Sequence, residues 1–226
     1  MQDNEFYTVR LRFSKTASAK YISHLDVNRV MSRAIKRANL PVWYTQGYNP
    51  RVYMSFSLPL PLGVESECES VDLRLVSEID FAEIIEKMNA VLPRDIRILD
   101  VYKVFSDLKE ISYSAYIFDI DFENAEEAEM KIKNILESEE ILAEKKGKSG
   151  RKKVTKEVNI KEFIKEYTVE RKDKTVVIKT VLSAGVQKNL SSVLFFDTII
   201  RLMNTDYEWK SIRRMNLLKS DMTDYI

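Results

Sequence analysis

The sequence has little of the residues that build disulfides, metal sites and flexible repeats. It contains one cysteine, one histidine, five glycines and five prolines in 226 residues. The single cysteine, Cys68, excludes an internal disulfide, a cysteine-rich zinc site and a thiolate-held iron–sulfur cluster within this chain. The scarcity of glycine and proline excludes collagen-like and low-complexity chains. Nothing in this composition requires an oxidising compartment, so we expect a cytoplasmic protein.

Long apolar runs are also missing. No stretch approaches the roughly 18 consecutive apolar residues of a membrane-spanning helix, and the first residues, MQDNEFYTVR, lack the regions of a signal peptide. We therefore expect no membrane partner. The hydrophobic fraction of 45% and the charged fraction of 31% are typical of a soluble folded chain. The length predicts one large domain or two small ones.

Charge is unevenly distributed, although the formal net charge is only +1. Residues 1–60 carry nine Lys or Arg against three Asp or Glu, and residues 61–142 carry eight against twenty-one. Residues 143–188 carry fourteen against six, and the last 38 residues carry five of each. The two basic segments favour a nucleic-acid partner, because local potential governs which partners are attracted. The alternative is that the acidic helices only keep the surface soluble, since the pI of about 7.7 is below that of most nucleic-acid-binding domains.

The first half of the chain predicts the element order βαββαβ. Tyr7 to Ser14 alternates apolar and polar residues, which predicts a half-buried strand with Arg10 and Arg12 on its polar face. Ser23 predicts the N-cap of a helix, with Asp26 in an acidic variant of the capping box. The other predicted elements are strands at Arg51–Leu58, Ser70–Val76 and Ile96–Phe105 and a helix at Phe81–Leu92.

The second half predicts much the same order. Its elements are strands at Tyr113–Ile120 and Trp209–Leu218, helices at Ala125–Leu136 and Ser191–Met203, and strand-like material from Ile141 to Leu182. We therefore predict an α+β fold of two tandem ferredoxin-like (βαββαβ) units with antiparallel sheets, divided into domains 1–108 and 109–226. The second domain includes a basic loop near 145–153, where KKGKSGRKK is too charged to lie in a core.

One face of the first predicted helix is cationic. Arg29, Arg33 and Arg37 follow one another at i, i+4 spacing with Lys36 beside them, opposite an apolar face. Like charges at this spacing repel one another unless an anion or an acidic neighbour lies between them. The stripe therefore indicates phosphate contacts. The alternatives are a solvated face or ion pairing with the acidic segment.

His24 is the only histidine, and it stands one residue after the predicted N-cap. The helix dipole disfavours its protonated form there, so a neutral imidazole at this position could accept a proton. A lone histidine without a nucleophile or a metal cluster is weak evidence for catalysis. The sequence favours a structural or ligand-contact role for His24. It predicts no metal site, because no recognisable ligand spacing surrounds the histidine.

Aromatic and polar residues alternate in the segment Pro41 to Leu62, PVWYTQGYNPRVYMSFSLPLPL. Flat rings can stack on bases while amide and guanidinium groups form hydrogen bonds with them. The turn inside this segment offers Gln46, Tyr48, Asn49 and Arg51 as ligand contacts, because polar loops of fixed conformation often bind ligands. Ordinary packing accounts equally well for the neighbouring tryptophan.

The first part of the chain resembles a known bacterial family. The stretches YTVRLRFSK and YISHLDVNRVMSRAIKRANLPVWYTQGYNPRVYMSFSLPLPLGVESECE are similar to the radical-SAM-linked proteins, which are fused to, or encoded beside, cobalamin-binding radical SAM enzymes. The resemblance is specific up to about residue 75. Its motifs are Ser23-His24-Leu25-Asp26, Arg33, Arg37-Ala38, Pro41, Gly47-Tyr48-Asn49-Pro50-Arg51 and Leu60-Pro61-Leu62-Gly63.

Beyond residue 140 the resemblance is looser. The family pattern has a Lys-Gly-Lys turn followed by an acidic residue before a short helix; here Lys146-Gly147-Lys148 matches the turn, and Asn159 stands at the acidic position. The resemblance implies a radical SAM enzyme as a partner. It also implies that an iron–sulfur cluster, S-adenosylmethionine and cobalamin belong to that partner and that this chain has no cofactor of its own, since it lacks a CxxxCxxC motif.

Three functions remain open. The first is an RNA-binding accessory protein that presents structured RNA (rRNA or tRNA) to a radical SAM enzyme for modification. Its predicted contacts are His24, Arg29, Arg33, Arg37, Gln46, Tyr48, Asn49, Arg51, Lys145, Lys146, Lys148, Arg151, Lys152 and Lys153. The second is a metal-independent endoribonuclease that uses His24 as acid or base, by analogy with the tandem ferredoxin-like endoribonucleases of CRISPR systems. The third is a protein-interaction scaffold. The sequence favours a non-catalytic role.

Overall fold

The computed structural model describes residues 6–149, 152–186 and 188–225, without the side chains of 146–149 and 152–155. The chain divides into two compact units, Met1–Leu108 and Lys109–Tyr225. Within the described ranges each unit combines two α-helices with a mostly antiparallel set of strands, so the fold is mixed α+β. No helix in these ranges is long and apolar enough to span a membrane.

Among its described residues, the first unit contains four strands and two α-helices. Its elements are β1 (Tyr7–Lys15), α1 (His24–Arg37), β2 (Met54–Phe56), β3 (Glu65–Leu75), α2 (Phe81–Val91) and β4 (Ile96–Lys103). β1 lies between β4 and β3, and β2 pairs with the other edge of β3. The strand order is therefore β4-β1-β3-β2, and every pairing is antiparallel.

One face of this sheet is apolar and carries the core of the unit. Val9, Leu11 and Phe13 alternate along β1 and are buried in the same cluster as Met31 and Ile35 of α1. Burial of side chains of this size contributes roughly 1.5 to 3 kcal/mol each. The apolar stripe of α1 therefore fixes which side of the helix faces the sheet and which side is left to solvent.

The polar face of β1 differs from its prediction. Arg12 is exposed, but Arg10 is fully buried. Arg10 Nε and Nη2 donate to the two carboxylate oxygens of Asp72 at 2.7 and 3.0 Å, and its guanidinium also donates to the hydroxyl and carbonyl oxygens of Ser106. These acceptors make burial of the charge tolerable. The expectation that Arg10 shares a solvent face with Arg12 is wrong, because alternation in β1 does not reveal the Ser106 segment that covers it.

The second unit has the same order of elements with one insertion. Its elements are β5 (Tyr113–Asp121), α3 (Ala125–Glu137), β6 (Leu142–Ser149), β7 (Lys152–Asn159), β8 (Ile164–Lys172), β9 (Thr175–Ser183), α4 (Ser192–Met203) and β10 (Trp209–Leu218). The strand order β10-β5-β9-β8 is antiparallel throughout. Phe118 of β5 and Phe195 of α4 pack in its core with ring centroids 5.2 Å apart.

The predicted basic loop near 145–153 is a hairpin. β6 and β7 pair from Leu142 with Asn159 to Ser149 with Lys152. Residues 145–149 and 152–153 of the predicted basic loop therefore lie in strands. Charged residues can form such a ladder because its hydrogen bonds join backbone groups and do not require apolar side chains.

Asn159 stands where the sequence resemblance places an acidic residue. Its Oδ1 accepts hydrogen bonds from the N–H groups of Ile141 at 3.1 Å and Lys161 at 3.0 Å. The first bond lies at the base of the hairpin, and the second lies at the start of the 3-10 helix Lys161–Phe163. Both bonds need only an acceptor oxygen, which asparagine supplies as well as aspartate does.

Candidate nucleic-acid interface

Helix α1 begins and ends at residues suited to those positions. Ser23 Oγ accepts a hydrogen bond from the Asp26 N–H at 3.2 Å, which confirms the predicted N-cap. Ser23 Oγ also donates to the Asp26 carboxylate at 2.7 Å; in a capping box that carboxylate would instead accept from the N-cap backbone N–H. These bonds and the neighbouring Arg29 guanidinium lower the pKa of Asp26 below its ordinary value. Asn39 has a φ of 51°, a left-handed conformation that ends the helix. The 14 residues of α1 are thus fixed at both ends.

The three arginines of the predicted stripe differ in their contacts. Arg29 pairs with Asp26 at 3.0 Å, which offsets part of its charge. Arg37 Nη2 donates to the carbonyl oxygen of Val91 at 2.8 Å, at the end of α2. Arg33 is exposed and forms neither an ion pair nor a hydrogen bond with any described residue. Arg33 is therefore the arginine of this stripe most available to an anion.

A narrow loop of residues 43–53 follows α1. An isolated antiparallel bridge between Tyr44 and Val52 holds its two arms together. Above that bridge, the Thr45 N–H donates to the Arg51 carbonyl at 2.8 Å, and the Arg51 N–H donates to Thr45 Oγ1 at 3.0 Å. These contacts close the 43–53 loop into a hairpin-like shape with a short tip.

The base of the 43–53 loop is a cluster of rings around Arg74. The Arg74 guanidinium carbon lies 4.1 Å from the ring centroid of Tyr53, 5.5 Å from that of Trp43 and 5.4 Å from that of Phe6. The Trp43 ring meets the other two rings edge to face. Trp43 and Tyr53 are therefore used in packing, and the cation–ring contacts fix the base of the loop.

The tip of the 43–53 loop, Gln46 to Arg51, is exposed at every residue. The Tyr48 side chain is 98% exposed. Gly47 has a φ of +133°, a backbone conformation that side chains rarely adopt. The tip brings together four of the predicted contacts, which are Gln46, Tyr48, Asn49 and Arg51.

Lys36 connects α1 to the 43–53 loop. Its Nζ lies 5.9 Å from the centroid of the Tyr44 ring, and Tyr44 stands in the arm that leads to the tip. Arg33 lies one helical turn before Lys36 on the same side of α1. The contact therefore places Lys36 beside the arm of the loop that leads to the tip. We call the surface formed by Arg29, Arg33, Lys36 and the tip the basic–aromatic surface.

The structure does not bring His24 to the basic–aromatic surface. At 100° per residue, His24 lies on the other side of α1, where its ring is half-buried and meets the Phe56 ring edge to face at 5.1 Å. His24 lines a small cavity together with Lys15, Glu69 and Ser70. The volume of this cavity is about 10 Å³. That volume suits about one water molecule, so a nucleotide does not fit in it.

The β6–β7 hairpin carries the other predicted contacts. Lys145 is exposed and stands opposite the exposed Lys156 in the strand register. Like charges directly opposite each other weaken a strand pair, so this register favours a bound anion. The predicted contacts outside the described residues are Arg151 and the side chains of Lys146, Lys148, Lys152 and Lys153.

Sequence reasoning missed two residues that organise the basic–aromatic surface. Arg74 contacts the aromatic rings at the base of the loop, and Tyr44 contacts Lys36. A basic residue between the buried Leu73 and Leu75 of β3 is a signal for such a cluster, but its ring partners lie far away in the sequence. Among the described residues, no group of three or more His, Cys, Asp and Glu side chains is arranged to hold a metal ion.

The sequence of this surface lies inside a region that matches one family model. Residues 8–192 match the family described as "Uncharacterized protein conserved in bacteria (DUF2344)". The chain belongs to this family. The DUF2344 region begins in β1, includes α1 and the 43–53 loop, and ends at the first residue of α4. The sequence matches none of the curated proteins.

This DUF2344 protein is similar in fold to chains of solved structures. A chain in the crystal structure of a Cbf5–Nop10–Gar1 complex matches it with a TM-score of 0.51 and 13% sequence identity. The match covers 95% of this chain and 50% of that chain, so the protein spans about half the length of the chain it resembles. At this identity the likeness concerns the fold alone.

Proposed function

We propose that this protein is an RNA-binding accessory protein that presents structured RNA, rRNA or tRNA, to a radical SAM enzyme for modification. The observation that carries the proposal is the contact between Lys36 and Tyr44, which joins α1 to the 43–53 loop. It joins the helix that carries Arg29, Arg33 and Lys36 to the loop whose tip exposes aromatic and amide side chains. Proteins recognise RNA with this combination, because cations contact phosphates while rings and amides contact bases.

The cations of the basic–aromatic surface are spaced for a run of phosphates. Arg29, Arg33 and Lys36 follow one another by about one helical turn, roughly 5 Å along the axis. Each can therefore meet a different phosphate of one strand. Every phosphate contact of this kind releases counterions, which makes the affinity salt-dependent. Arg51 at the tip adds a guanidinium that has no ion-pair partner among the described residues.

The surroundings of His24 support the non-catalytic role. An endoribonuclease mechanism requires the imidazole to reach a ribose hydroxyl or a phosphate oxygen. The His24 ring instead packs against Phe56 and lines a cavity with room for about one water molecule. Ser70 Oγ, which also belongs to that cavity lining and has no hydrogen-bond partner among the described residues, would accept such a water. We therefore assign His24 a structural role.

A small apolar patch supports a protein partner. Tyr21, Leu25 and Leu62 are 69%, 59% and 60% exposed. A hydrogen bond from the Gly63 N–H to the Lys20 carbonyl at 2.8 Å brings Leu62 next to Tyr21. Clustered apolar side chains of this kind favour contact with another protein. In the proposal that protein is the radical SAM enzyme, which would hold the iron–sulfur cluster, S-adenosylmethionine and cobalamin.

The strand orders support a tandem ferredoxin-like architecture as part of the proposal. Each unit has the element order βαββαβ once the β6–β7 hairpin is set aside as an insertion. In each unit the first strand lies between the fourth and the third. This arrangement serves many unrelated functions, so it does not by itself favour RNA binding.

The test is the affinity of the intact chain for a tRNA transcript at several salt concentrations. Wild-type affinity should fall steeply as salt rises. The double variant Arg33→Gln with Lys36→Gln should bind more weakly. Its log–log salt slope should be smaller by about 1.4 to 1.8, because each lost phosphate contact removes about 0.7 to 0.9.

The matched control removes the same charge elsewhere. Lys87→Gln with Lys133→Gln replaces two cations that pair with Glu83 and Glu129 on their own helices. This control should keep wild-type affinity. Equal losses in both double variants would contradict the assignment of the basic–aromatic surface. A wild-type chain that binds the radical SAM enzyme but no RNA would be a protein-interaction scaffold instead.

A further inference from the structure

We infer that the tip of the 43–53 loop binds an unpaired nucleotide, one whose base lies outside a double helix; the inference rests on the proposed RNA-binding function. Tyr48 is 98% exposed, and its side chain forms no ring contact or hydrogen bond with the described residues. A ring that is open to solvent on a fixed turn has its whole π face available to a flat partner.

The tip is held in its shape before any ligand binds. Two hydrogen bonds between Thr45 and Arg51, of 2.8 and 3.0 Å, close it. Below them, the Tyr53 ring lies over the Arg74 guanidinium at 4.1 Å. A site that is already ordered loses less conformational entropy on binding, so more of its interaction energy remains as affinity.

The polar groups beside Tyr48 match the other parts of a nucleotide. Gln46 and Asn49 each carry an amide that both donates and accepts hydrogen bonds, as the Watson–Crick edge of a base does. Arg51 carries a planar guanidinium that binds phosphate through paired hydrogen bonds. Lys36 of α1 contacts the arm that leads to this tip, so the cations of the helix are candidates for the phosphates that follow in the strand.

A base inside an RNA duplex offers little to this site. Its two faces are covered by stacked neighbours, and the deep major groove is too narrow for side chains to enter. The exposed minor groove can be bound through charge and 2′-hydroxyl contacts, which do not use the face of an aromatic ring. Stacking on Tyr48 therefore requires a base in a loop, a bulge or a chain end.

The experiment compares an RNA hairpin that has an unpaired loop with a blunt duplex of the same stem sequence and equal charge. At one fixed salt concentration, wild type should bind the looped RNA more tightly than the duplex. Tyr48→Ala should lose roughly 5- to 140-fold in affinity for the looped RNA, the range expected for one base–aromatic stack. Its affinity for the duplex should not change. Tyr48→Phe should retain most of the binding, because it keeps the ring.

The matched control is Phe105→Ala, which removes another exposed aromatic ring, 81% exposed, from the same unit and should bind both RNAs as wild type does. The inference is overturned if Tyr48→Ala keeps wild-type affinity for the looped RNA or if wild type binds both RNAs equally. It is also overturned if Tyr48→Ala weakens only the binding of the radical SAM enzyme. Failure of the proposed function gives a different result, in which wild type binds neither RNA in a salt-dependent manner.

Discussion

The Arg74 guanidinium lies over the ring of Tyr53, 4.1 Å from its centroid, and joins β3 to the returning arm of the 43–53 loop. The same guanidinium also lies near the Trp43 and Phe6 rings. The conformation of the exposed tip therefore depends on a contact outside the tip, between Arg74 and the rings at the base of the loop. A planar guanidinium stacks on a ring in a way that the ammonium of lysine does not.

Replacing Arg74 by lysine keeps the charge and removes the stacking. We expect Arg74→Lys to lower the free energy of unfolding by less than about 1 kcal/mol, because an ammonium keeps part of the cation–π attraction to the rings, and to weaken binding of looped RNA. In a Trp209→Phe background, Trp43 is the only tryptophan, so its fluorescence reports on the base of the loop. Unchanged emission together with unchanged RNA affinity would show that the loop does not depend on Arg74.

Arg33 and Arg37 should respond to substitution in opposite ways. Arg37→Gln removes the hydrogen bond to the Val91 carbonyl and should lower the free energy of unfolding by about 1 kcal/mol. Arg33→Gln should change stability by less than about 0.5 kcal/mol and should weaken RNA binding. Denaturant unfolding and RNA titration of both variants check this. If Arg37→Gln weakens RNA binding as much as Arg33→Gln and leaves stability unchanged, Arg37 is an RNA contact.

The ion pair of Arg10 with Asp72 should matter far more for stability than an exposed pair of similar length. Asp72→Ala leaves a buried guanidinium without its carboxylate and should cost about 3 to 5 kcal/mol in the free energy of unfolding. Asp119→Ala breaks the exposed pair with Arg213, whose atoms are 2.8 Å apart, and should cost less than about 1 kcal/mol. Urea unfolding of both variants gives the comparison. Equal losses would contradict a special role for burial.

The hydrogen bond from Ser23 to Asp26 should affect the pKa of the Asp26 carboxyl group. Its pKa is lowered chiefly by the hydrogen bond from Ser23, so Ser23→Ala should raise it toward the ordinary value. Because the folded pKa is depressed, ionised Asp26 stabilises the protein above the unfolded pKa. That stabilisation is lost as pH falls through the folded pKa. The stability difference between wild type and Ser23→Ala should therefore be largest at neutral pH and should narrow in acid.

Carboxyl NMR titration of Asp26 and unfolding measurements at neutral and acidic pH test this expectation. An Asp26 pKa that stays depressed in Ser23→Ala would show that Arg29, at 3.0 Å, is sufficient to hold it.

Elements with strong local signals could be predicted from the sequence. β10 spans the predicted residues Trp209–Leu218, and α2 spans Phe81–Val91 where a helix to Leu92 is predicted. Periodicity and capping residues define both elements locally. The strand predicted at Arg51–Leu58 is only Met54–Phe56, because the alternating aromatic residues before it belong to the 43–53 loop.

Features that depend on distant contacts could not be predicted. Ser106 covers Arg10 from 96 positions away in the sequence, and no local pattern in β1 indicates it. The exposed tip was predictable from its own composition. The attachment of its loop to β3 and α1 was not, because it depends on the contacts of Arg74 and Lys36 with rings elsewhere in the chain.

Lys145 stands opposite Lys156 in the register of the β6–β7 hairpin. Because of this pairing, salt has opposed effects on strand pairing and on the binding of a polyanion. Mobile ions shorten the range over which the two ammonium groups repel each other, so rising ionic strength favours pairing of the strands. The same ions compete with protein cations for a polyanion. The repulsion between Lys145 and Lys156 is therefore weakest in solutions where cationic surfaces hold nucleic acid least. In dilute salt, a polyanion lying across the hairpin would take the place of those ions and weaken the repulsion between the two ammonium groups.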